Sequence, residues 1–463
     1  MRAQYKQFGV IKEGTICFGK GLTLLTGENN SGKTFAMNTA YNFAKNKGRC
    51  LAENLLQYLS NNIKQNESTM EFLWSDFFVS DNFGPMKFTR GTLSNIFYVN
   101  EDHFDEDTDV QYNLEHVDYQ DIIGWMKEQD ERTIESSQLQ IKIGAETFKI
   151  SLVDDNQSLT KIFEKNHHMI VRSMTDFFKQ YRGFAKPYFL PAERIGINKF
   201  YQELSSDRNN MYEAASKLMT MSGKQKQNNA ELLDTIFSLQ KSRYAESISD
   251  YIMLLNRLNT NEMKKKKNKS YQDELNYFKK NIIGGKYIYS NDGINVKMHG
   301  EKKSIPFHIS SSLVNSLVGI DILLNYEFDE TNYLFIDEPE LNLHPQNQVY
   351  FVQLLAMLVN KGLNIVISTH SDYIVNAVNN LIKLATIKQN DNAFVTDKLY
   401  RKYKLNTNTY LNIDDVSAYM FEKGTIRQVS KDKEFGLELT TFNKAIDEIY
   451  EFSDKLDNVL DND

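Results

Sequence analysis

Three short apolar runs along the chain predict buried β-strands. They read LTLLTG at residues 22–27, YLFI at residues 333–336 and NIVIS at residues 364–368. Short, largely apolar runs of this kind are typical of parallel strands that are covered on both faces of a sheet. A stretch rich in helix formers follows each run, the first starting at Lys33 and the second at Pro345. This alternation of strands and helices predicts an α/β fold.

Alternating apolar and polar positions indicate a second kind of β structure elsewhere in the chain. Residues 1–26 form short segments that are closed by glycines, and residues 138–153 alternate as a β-hairpin. A β pattern returns over residues 286–309, and PYFL at residues 187–190 is typical of one more buried strand. We therefore predict an antiparallel β portion at the N-terminal end of the α/β fold.

A long helical pattern interrupts the α/β sequence between residues 199 and 280, where polar stretches run without proline. We predict that residues 1–198 and 281–400 are two parts of one domain, and that residues 199–280 are a helical insertion. Residues 401–463 are predicted to form a C-terminal β-hairpin and an amphipathic helix. The run Lys264–Lys267 in the insertion is either a solvated break between helices or a nucleic-acid contact.

The terminal helix, predicted over residues 441–460, has apolar side chains on one face and acidic side chains around the rest. The apolar positions are Phe442, Ile446, Ile449, Phe452, Leu456 and Leu460. Their spacing of largely three or four residues is that of an amphipathic helix. The apolar face either packs on its own domain or docks a basic partner or a second protomer.

Composition narrows the class of protein. The 463 residues include 54 Lys+Arg and 61 Asp+Glu, a net charge of −7, which excludes a protein that coats nucleic acid through bulk positive charge. With 41% hydrophobic and 25% charged residues, the chain is typical of an ordered globular protein. Its two cysteines cannot form a disulfide framework and suit a reducing compartment. Because no apolar run reaches about 18 residues, we expect a cytoplasmic protein without a membrane span.

The segment GENNSGKT carries the strongest chemical signal in the chain. It fits the pattern G-x-x-x-x-G-K-[ST] between a predicted strand and a predicted helix, which is the context of a phosphate-binding P-loop. The glycines let successive backbone N–H groups face a polyphosphate, and the helix N-terminus adds its positive dipole. The lysine is expected to reach the β- and γ-phosphates, and the threonine hydroxyl to bind Mg²⁺. The expected nucleotide ligands are Gly27, Asn29, Asn30, Ser31, Gly32, Lys33 and Thr34.

Three further side chains are expected beside the P-loop, since ligands of open α/β sheets bind at the carboxyl ends of the strands. Asp337 and Glu338 follow the strand YLFI directly, and His370 follows NIVIST. Asp337 would hold Mg²⁺ through its water shell, and Glu338 would polarise the attacking water as a general base. His370 would hydrogen-bond the γ-phosphate or that water. Each residue alone fits an ordinary turn, but their order after a P-loop favours the functional interpretation.

Together, GENNSGKT, DEPELNLHP and STHSDYI resemble the ABC-type ATPases of the SMC/RecF/OLD branch of the AAA family. Within that branch the chain looks like the stand-alone ATPase subunits of two-gene anti-phage defence systems such as Septu and PARIS. The wider layout agrees over most of the chain, although only the three motifs are highly specific. The resemblance implies an ABC-type P-loop ATPase head that binds ATP and Mg²⁺ and hydrolyses ATP.

The resemblance also implies a head-to-tail homodimer, or a higher homo-oligomer built on it, that sandwiches two ATP molecules. In the family a serine followed by glycines, at a helix N-terminus, closes the site of the opposite protomer. The matching positions are Ser310, Ser311 and Ser312, without the glycines. Ser311 and Ser312 are therefore either ATP ligands in trans or an ordinary helix cap. Asn342 either lies at the protomer interface or caps the next helix.

One position departs from the family pattern. After an inner strand the family has a glutamine, where this chain has Ala192, Glu193 and Arg194 following PYFLP. Either Arg194 touches phosphate or Glu193 touches the metal, or the two belong to a structural ion pair.

Two functions fit these expectations. In the first, the chain is the ATPase sensor of an anti-phage system and controls a separately encoded effector nuclease. In the second, it is a DNA-repair ATPase that clamps DNA directly, so nucleic acid stays an open second partner. The single lysine run and an insertion too short for a long coiled coil favour the first. We expect no nuclease activity in the chain itself, because the pair Asp414-Asp415 would point to opposite faces of a strand.

Overall fold

The computed structural model of the chain describes most of its length. The described residues are 1–64, 67–79, 85–114, 116–153, 158–201, 203–204, 244–256, 268–290, 293–328, 333–389, 393–403, 405–438 and 450–455. Most of the helical insertion, including Lys264–Lys267, lies outside them. Of the predicted terminal helix, residues 450–455 are described and are helical, whereas Phe442, Ile446, Ile449, Leu456 and Leu460 lie outside the described residues.

Short strands and helices alternate through the described residues. The strands are β1 (Arg2–Phe8), β2 (Ile11–Cys17), β3 (Leu22–Gly27), β4 (Thr69–Leu73), β5 (Met86–Phe88), β6 (Asp109–Asn113), β7 (Arg132–Glu135), β8 (Leu139–Ile143), β9 (Thr147–Leu152), β10 (Tyr188–Leu190), β11 (Gly285–Ser290), β12 (Gly293–Met298), β13 (Ile305–Pro306), β14 (Tyr333–Ile336), β15 (Asn364–Thr369), β16 (Val416–Glu422), β17 (Thr425–Gln428), β18 (Lys431–Asp432) and β19 (Gly436–Leu437). The helices are α1 (Lys33–Asn62), α2 (Trp74–Val79), α3 (Arg90–Phe97), α4 (His116–Lys127), α5 (Leu159–Lys165), α6 (His167–Phe178), α7 (Glu246–Asn256), α8 (Gln272–Tyr277), α9 (Ser312–Ile322), α10 (Pro345–Val359), α11 (Asp372–Gln389) and α12 (Ala393–Tyr403).

A ten-stranded sheet, counted over the described residues, forms the centre of the fold. Its order is β10-β14-β15-β3-β16-β17-β2-β1-β6-β5. The first five strands are parallel, and β2, β1, β6 and β5 pair antiparallel. The predicted α/β fold with an N-terminal antiparallel portion is therefore confirmed. Three smaller sheets have the orders β11-β12-β13, β18-β19 and β4-β9-β8-β7.

The parallel half of the sheet is covered on both faces, as its apolar runs predict. Along β3, Leu24 packs into one core cluster and Leu25 into the other. Along β14, Leu334 and Ile336 join the first cluster, and Tyr333 and Phe335 join the second. The first cluster includes the buried faces of α9, α10 and α11, and the second includes α1. Successive side chains of a strand point to opposite faces of the sheet. When helices cover both faces, the side chains on each face are therefore mainly apolar.

Helix α1 contains an internal glycine, Gly48, and continues through it to Asn62. Its first half packs on the main sheet, and its second half packs into a third core cluster with the sheet β4-β9-β8-β7. A Cβ atom at Gly48 would lie 3.5 Å from the backbone nitrogen of Lys179, an ordinary contact just after α6. Packing on both halves of the helix outweighs the cost of about 1 kcal/mol of an internal glycine.

The predicted C-terminal hairpin, β16 and β17, is part of the main sheet. β16 pairs parallel to β3, from Val416 opposite Leu22 to Phe421 opposite Gly27. The pair Asp414-Asp415 lies in a 3₁₀ turn before β16, not on a strand as the sequence analysis assumed. It therefore lies at the edge of the sheet where β3 begins, opposite to the edge where β3 ends.

No helix among the described residues has both the length and the apolar character needed to cross a membrane.

Candidate active site

The P-loop joins β3 to α1 and takes the backbone shape that its glycines allow. Gly27 has φ 135° and Gly32 has φ 98°, values that side-chain-bearing residues rarely adopt. A Cβ atom would lie 2.3 Å from the carbonyl oxygen of Phe421 at Gly27, and 2.7 Å from Cγ1 of Ile11 at Gly32. Both positions therefore require glycine for conformation and for space.

Lys33 lies under this loop with its side chain almost fully buried. Its Nζ donates hydrogen bonds to the carbonyl oxygens of Gly27 at 3.1 Å and Glu28 at 2.7 Å, and to the Ser31 hydroxyl at 3.3 Å. Burial lowers the pKa of Lys33, an effect that the nearby carboxylates of Asp337, Glu338 and Glu340 oppose. The Lys33 ammonium is thus hydrogen-bonded to neutral oxygens of the loop. Negatively charged phosphate oxygens would be stronger acceptors and would replace them.

Asp337 comes directly after β14 and is buried beside the P-loop. Its Oδ2 accepts a 2.8 Å hydrogen bond from the Thr34 hydroxyl, and its Oδ1 accepts one from the Ser368 hydroxyl. Mg²⁺ prefers hard oxygen ligands, and a hydroxyl and a carboxylate already meet at this point. The donor set therefore fits Mg²⁺ held together with the phosphates of a nucleotide.

Glu338 points its carboxylate toward the imidazole of His370, with 3.6 Å between Oε1 and Nε2. Its φ of 48° is left-handed, and its backbone N–H donates to the Ser368 hydroxyl at 2.9 Å. Burial, followed by the negative charges of Asp337 and Glu340, raises the pKa of Glu338. A raised pKa increases the proton affinity of the carboxylate, which suits a general base.

His370 begins the loop after β15 and is half-buried. Its backbone N–H donates a 2.6 Å hydrogen bond to Oε1 of Glu340, and the Thr369 hydroxyl donates to the same oxygen at 3.0 Å. Burial lowers the pKa of the His370 imidazole, and the Lys33 charge lowers it further. The imidazole therefore favours its neutral form, in which one ring nitrogen donates and the other accepts.

Arg194 has neither of the roles that the sequence suggests. It is 2% exposed, and its guanidinium donates to the backbone carbonyl oxygens of Pro191 at 3.1 Å, Asp337 at 2.8 Å and Glu338 at 2.9 Å. It is thus neither a phosphate ligand nor half of an ion pair with Glu193, which is exposed. The guanidinium supports the backbone that carries the Asp337 and Glu338 carboxylates, a role for which its fixed fork of donors is suited.

The P-loop from Asn29 onward, together with Glu338, Glu340 and His370, lines one pocket of about 720 Å³. Its lining consists of Gly9, Val10, Asn29, Asn30, Ser31, Gly32, Lys33, Thr34, Phe35, Glu338, Glu340, Leu341 and His370. The structure therefore brings together the expected P-loop, acidic-strand and histidine residues at one edge of the sheet. Val10 and Phe35 add exposed apolar surface beside the P-loop.

The three serines Ser310, Ser311 and Ser312 do not line this pocket. Ser311 is the N-cap of α9, where its hydroxyl accepts from the backbone N–H of Val314 at 3.4 Å. Ser312 is exposed at the start of the same helix, and Ser310 donates to the carbonyl oxygen of Phe307 at 2.7 Å. The capping role of Ser311 is therefore present within one chain, and a role in trans stays a prediction.

Asn342 does not cap the next helix. The N-cap of α10 is His344, whose Nδ1 accepts from the backbone N–H of Gln346 at 3.4 Å. Asn342 is exposed, with a left-handed φ of 64°. Its role at a protomer interface stays a prediction.

Two supporting side chains were not singled out by the sequence analysis. Ser368 donates to the Asp337 carboxylate and accepts from the backbone N–H of Glu338, so it holds that carboxylate and the backbone of the next residue. Glu340 accepts hydrogen bonds from the Thr369 hydroxyl and from the backbone N–H of His370, at the end of β15. The only sequence signal was their position inside DEPELNLHP and STHSDYI, next to the residues that were assigned.

Comparison with known proteins identifies the family of the chain. A model of the AAA ATPase domain family matches residues 6–375. The Smc head domain with an extended coiled coil bound to the C-terminal domain of ScpA, from Pyrococcus furiosus, is 14% identical with a TM-score of 0.30, over 98% of both chains. The SMC head domain from Thermotoga maritima is 10% identical with a TM-score of 0.31, over 93% of this chain and 98% of that one. No curated protein matches. Since the family model covers most of the chain, the protein belongs to the AAA ATPase domain family.

Proposed function

We propose that the chain binds MgATP in the pocket at the strand ends and hydrolyses it. The observation that carries this proposal is the 2.8 Å hydrogen bond from Thr34 to Asp337, which joins the P-loop to the acidic strand end. The neighbouring carboxylate–imidazole pair, Glu338 and His370, lines the same pocket. A phosphate-binding loop, a metal-ligating pair and a general base are the parts that phosphoryl transfer to water requires.

Binding is assigned to the P-loop. Its backbone N–H groups and the N-terminus of α1 receive the phosphates, and Lys33 exchanges its carbonyl partners for β- and γ-phosphate oxygens. Thr34 and Asp337 hold Mg²⁺, which neutralises charge on the phosphate oxygens when it is bound. The exposed apolar side chains of Val10 and Phe35 offer a surface for the base.

The hydrolytic step is assigned to Glu338 and His370. The carboxylate of Glu338 takes a proton from the attacking water, with its proton affinity raised by burial and by two neighbouring carboxylates. The neutral imidazole of His370 can donate to the γ-phosphate from one nitrogen and accept from water with the other.

We further propose that two chains form a head-to-tail dimer around two ATP molecules. The exposed N-terminus of α9, with Ser311 and Ser312, would then face the γ-phosphate in the partner's site. Asn342 would lie at the same interface. Support comes from the motif resemblance and from the exposure of these residues in a single chain.

The biological output that we propose is regulatory: an ATPase sensor of an anti-phage system that controls a separately encoded effector nuclease. The support is the resemblance of GENNSGKT, DEPELNLHP and STHSDYI to such subunits. Purification together with the product of the neighbouring gene tests it, with and without ATP. An effector that co-elutes and changes activity with nucleotide supports the proposal, whereas direct and tight DNA binding without any effector contradicts it.

Titration with ATP, in the presence and absence of Mg²⁺, tests the nucleotide site. We expect Mg²⁺ to increase ATP affinity in the wild type, and Thr34→Ala to lose that increase while it still binds ATP. The exposed Thr407 provides the matched control, since Thr407→Ala removes an identical hydroxyl far from the pocket. Release of phosphate by the wild type completes the test, and a wild type that neither binds nor hydrolyses ATP contradicts the proposal.

A further inference from the structure

Glu340 joins two loops that are far apart in the sequence. It lies two residues after Glu338, in the turn that follows β14, and its Oε1 receives hydrogen bonds from two consecutive residues at the end of β15. The shorter of the two, 2.6 Å, comes from the backbone N–H of His370. Oε2 is shielded from solvent and has no hydrogen-bond partner in the described residues. Among the described residues, the carboxylate therefore accepts these hydrogen bonds through one oxygen, from Thr369 and His370.

A second support of this turn comes from Arg194. It donates to the carbonyl oxygens of Asp337 and Glu338, which fixes the backbone that carries Glu338. Glu340 then fixes His370 relative to that same turn. With both supports in place, the Glu338 carboxylate and the His370 imidazole lie 3.6 Å apart.

We infer that Glu340 is a positioning residue for hydrolysis: by accepting the His370 N–H, it holds the imidazole against the Glu338 carboxylate. The inference rests on the proposed ATPase function. A charge-assisted hydrogen bond is roughly twice as strong as a neutral one, and its loss would leave the part-buried N–H of His370 without this partner. Without that bond the histidine loop can move away from Glu338, although the P-loop and its phosphate contacts stay intact.

Kinetics of Glu340→Ala and Glu340→Gln test the inference. We expect Glu340→Ala to lower kcat at least ~10-fold while the Kd for ATP changes by no more than about twofold, because binding and chemistry depend on different groups. Glu340→Gln keeps an acceptor oxygen and should retain most of kcat. Glu193→Ala, which removes an exposed carboxylate near Arg194, is the matched control and should change neither value.

A double-mutant cycle distinguishes positioning of His370 from a general loss of structure. If Glu340 acts through His370, adding Glu340→Ala to His370→Ala should lower kcat by no more than about twofold further. Additive losses, or a large loss of ATP affinity in Glu340→Ala, overturn the inference.

The resonance of the His370 backbone amide gives a readout that does not depend on turnover. A short hydrogen bond to a carboxylate should place this amide proton far downfield in the wild type. It should move upfield in Glu340→Gln, whose neutral oxygen is a weaker acceptor. The measurement on Glu340→Gln tests the inference even if Glu340→Ala does not fold. An unmoved resonance overturns the inference. A wild type without ATPase activity contradicts the proposed function, and the amide resonance still decides whether Glu340 positions His370.

Discussion

Thr34 and Asp337, 303 residues apart in the sequence, are joined by a 2.8 Å hydrogen bond from the threonine hydroxyl to the carboxylate. The bond connects the first turn of α1 to the end of β14. Helix α1 follows β3, and β3 and β14 are not neighbours in the sheet, since β15 lies between them. The contact therefore exists only because the parallel strands all end at one edge of the sheet.

We predict that Lys33→Ala abolishes ATP binding. The lysine is the buried cation under the P-loop, and the loss of a charge-assisted phosphate contact costs several kcal/mol, or about a thousandfold in affinity. Isothermal titration with ATP measures the effect. Lys20→Ala removes an exposed lysine before β3 and should leave affinity unchanged. An unchanged ATP affinity in Lys33→Ala would contradict the assignment of residues 27–34 as a P-loop.

We predict that Glu338→Gln binds ATP and Mg²⁺ but hydrolyses ATP at least ~10²-fold more slowly, because general-base catalysis contributes about that much. The variant should also accumulate the closed dimer, which light scattering in the presence of ATP can detect. Glu193→Gln is the matched control, since it neutralises an exposed carboxylate outside the pocket. Turnover near the wild-type rate would place the base at another residue, with Asp337 and His370 the next to test.

The strands and the residues at their ends were predictable because local patterns encode them. YLFI is apolar at every position, and LTLLTG combines leucines with two buried threonines, since helices cover both faces of the sheet. This composition makes the strands visible in the sequence. The edge where Lys33, Asp337 and His370 meet then follows from the rule that parallel strands share their carboxyl ends.

The supporting contacts were not predictable, because they depend on tertiary pairing. Arg194 donates to the backbone carbonyl of Asp337, and Glu340 accepts from the backbone N–H of His370. A backbone group is the same at every residue, so no sequence pattern marks its partner. The pairing of β16 with β3 is hidden for a similar reason: the hairpin motif predicts the turn but not which strand the hairpin joins.

We predict that Arg194→Met lowers the free energy of unfolding by roughly 3 kcal/mol, because it leaves several buried carbonyl oxygens without donors. Urea denaturation without nucleotide measures the change. Arg427→Met, on the exposed part of β17, should have little effect. If Arg194 were instead a phosphate ligand, its replacement would weaken ATP binding and leave the nucleotide-free stability unchanged.

We predict that His370 destabilises the fold in acid. Burial lowers its pKa in the folded chain below the ordinary value, so the unfolded chain binds the proton more tightly. The stabilising contribution is therefore present above the unfolded pKa of about 6.5 and is lost as the pH falls toward the folded pKa. Denaturation of the wild type and of His370→Gln at pH 7.5 and 5.5 checks this. The stability difference between the two chains should shift in favour of His370→Gln at the lower pH, and a shift in the opposite direction contradicts the prediction.

We predict that the purified chain cleaves neither supercoiled nor linear DNA in the presence of ATP and Mg²⁺ or Mn²⁺. Two-metal cleavage needs carboxylates that converge on ions about 4 Å apart. Within the parts of the chain that the structure describes, no group of three or more His, Cys, Asp or Glu side chains is placed to hold a metal ion. The pair Asp414-Asp415 lies in a turn before β16, at the opposite edge of the sheet from the P-loop. Cleavage that disappears in a variant with both Asp414→Ala and Asp415→Ala would contradict the prediction, whereas cleavage that persists unchanged in that variant would indicate a contaminating nuclease.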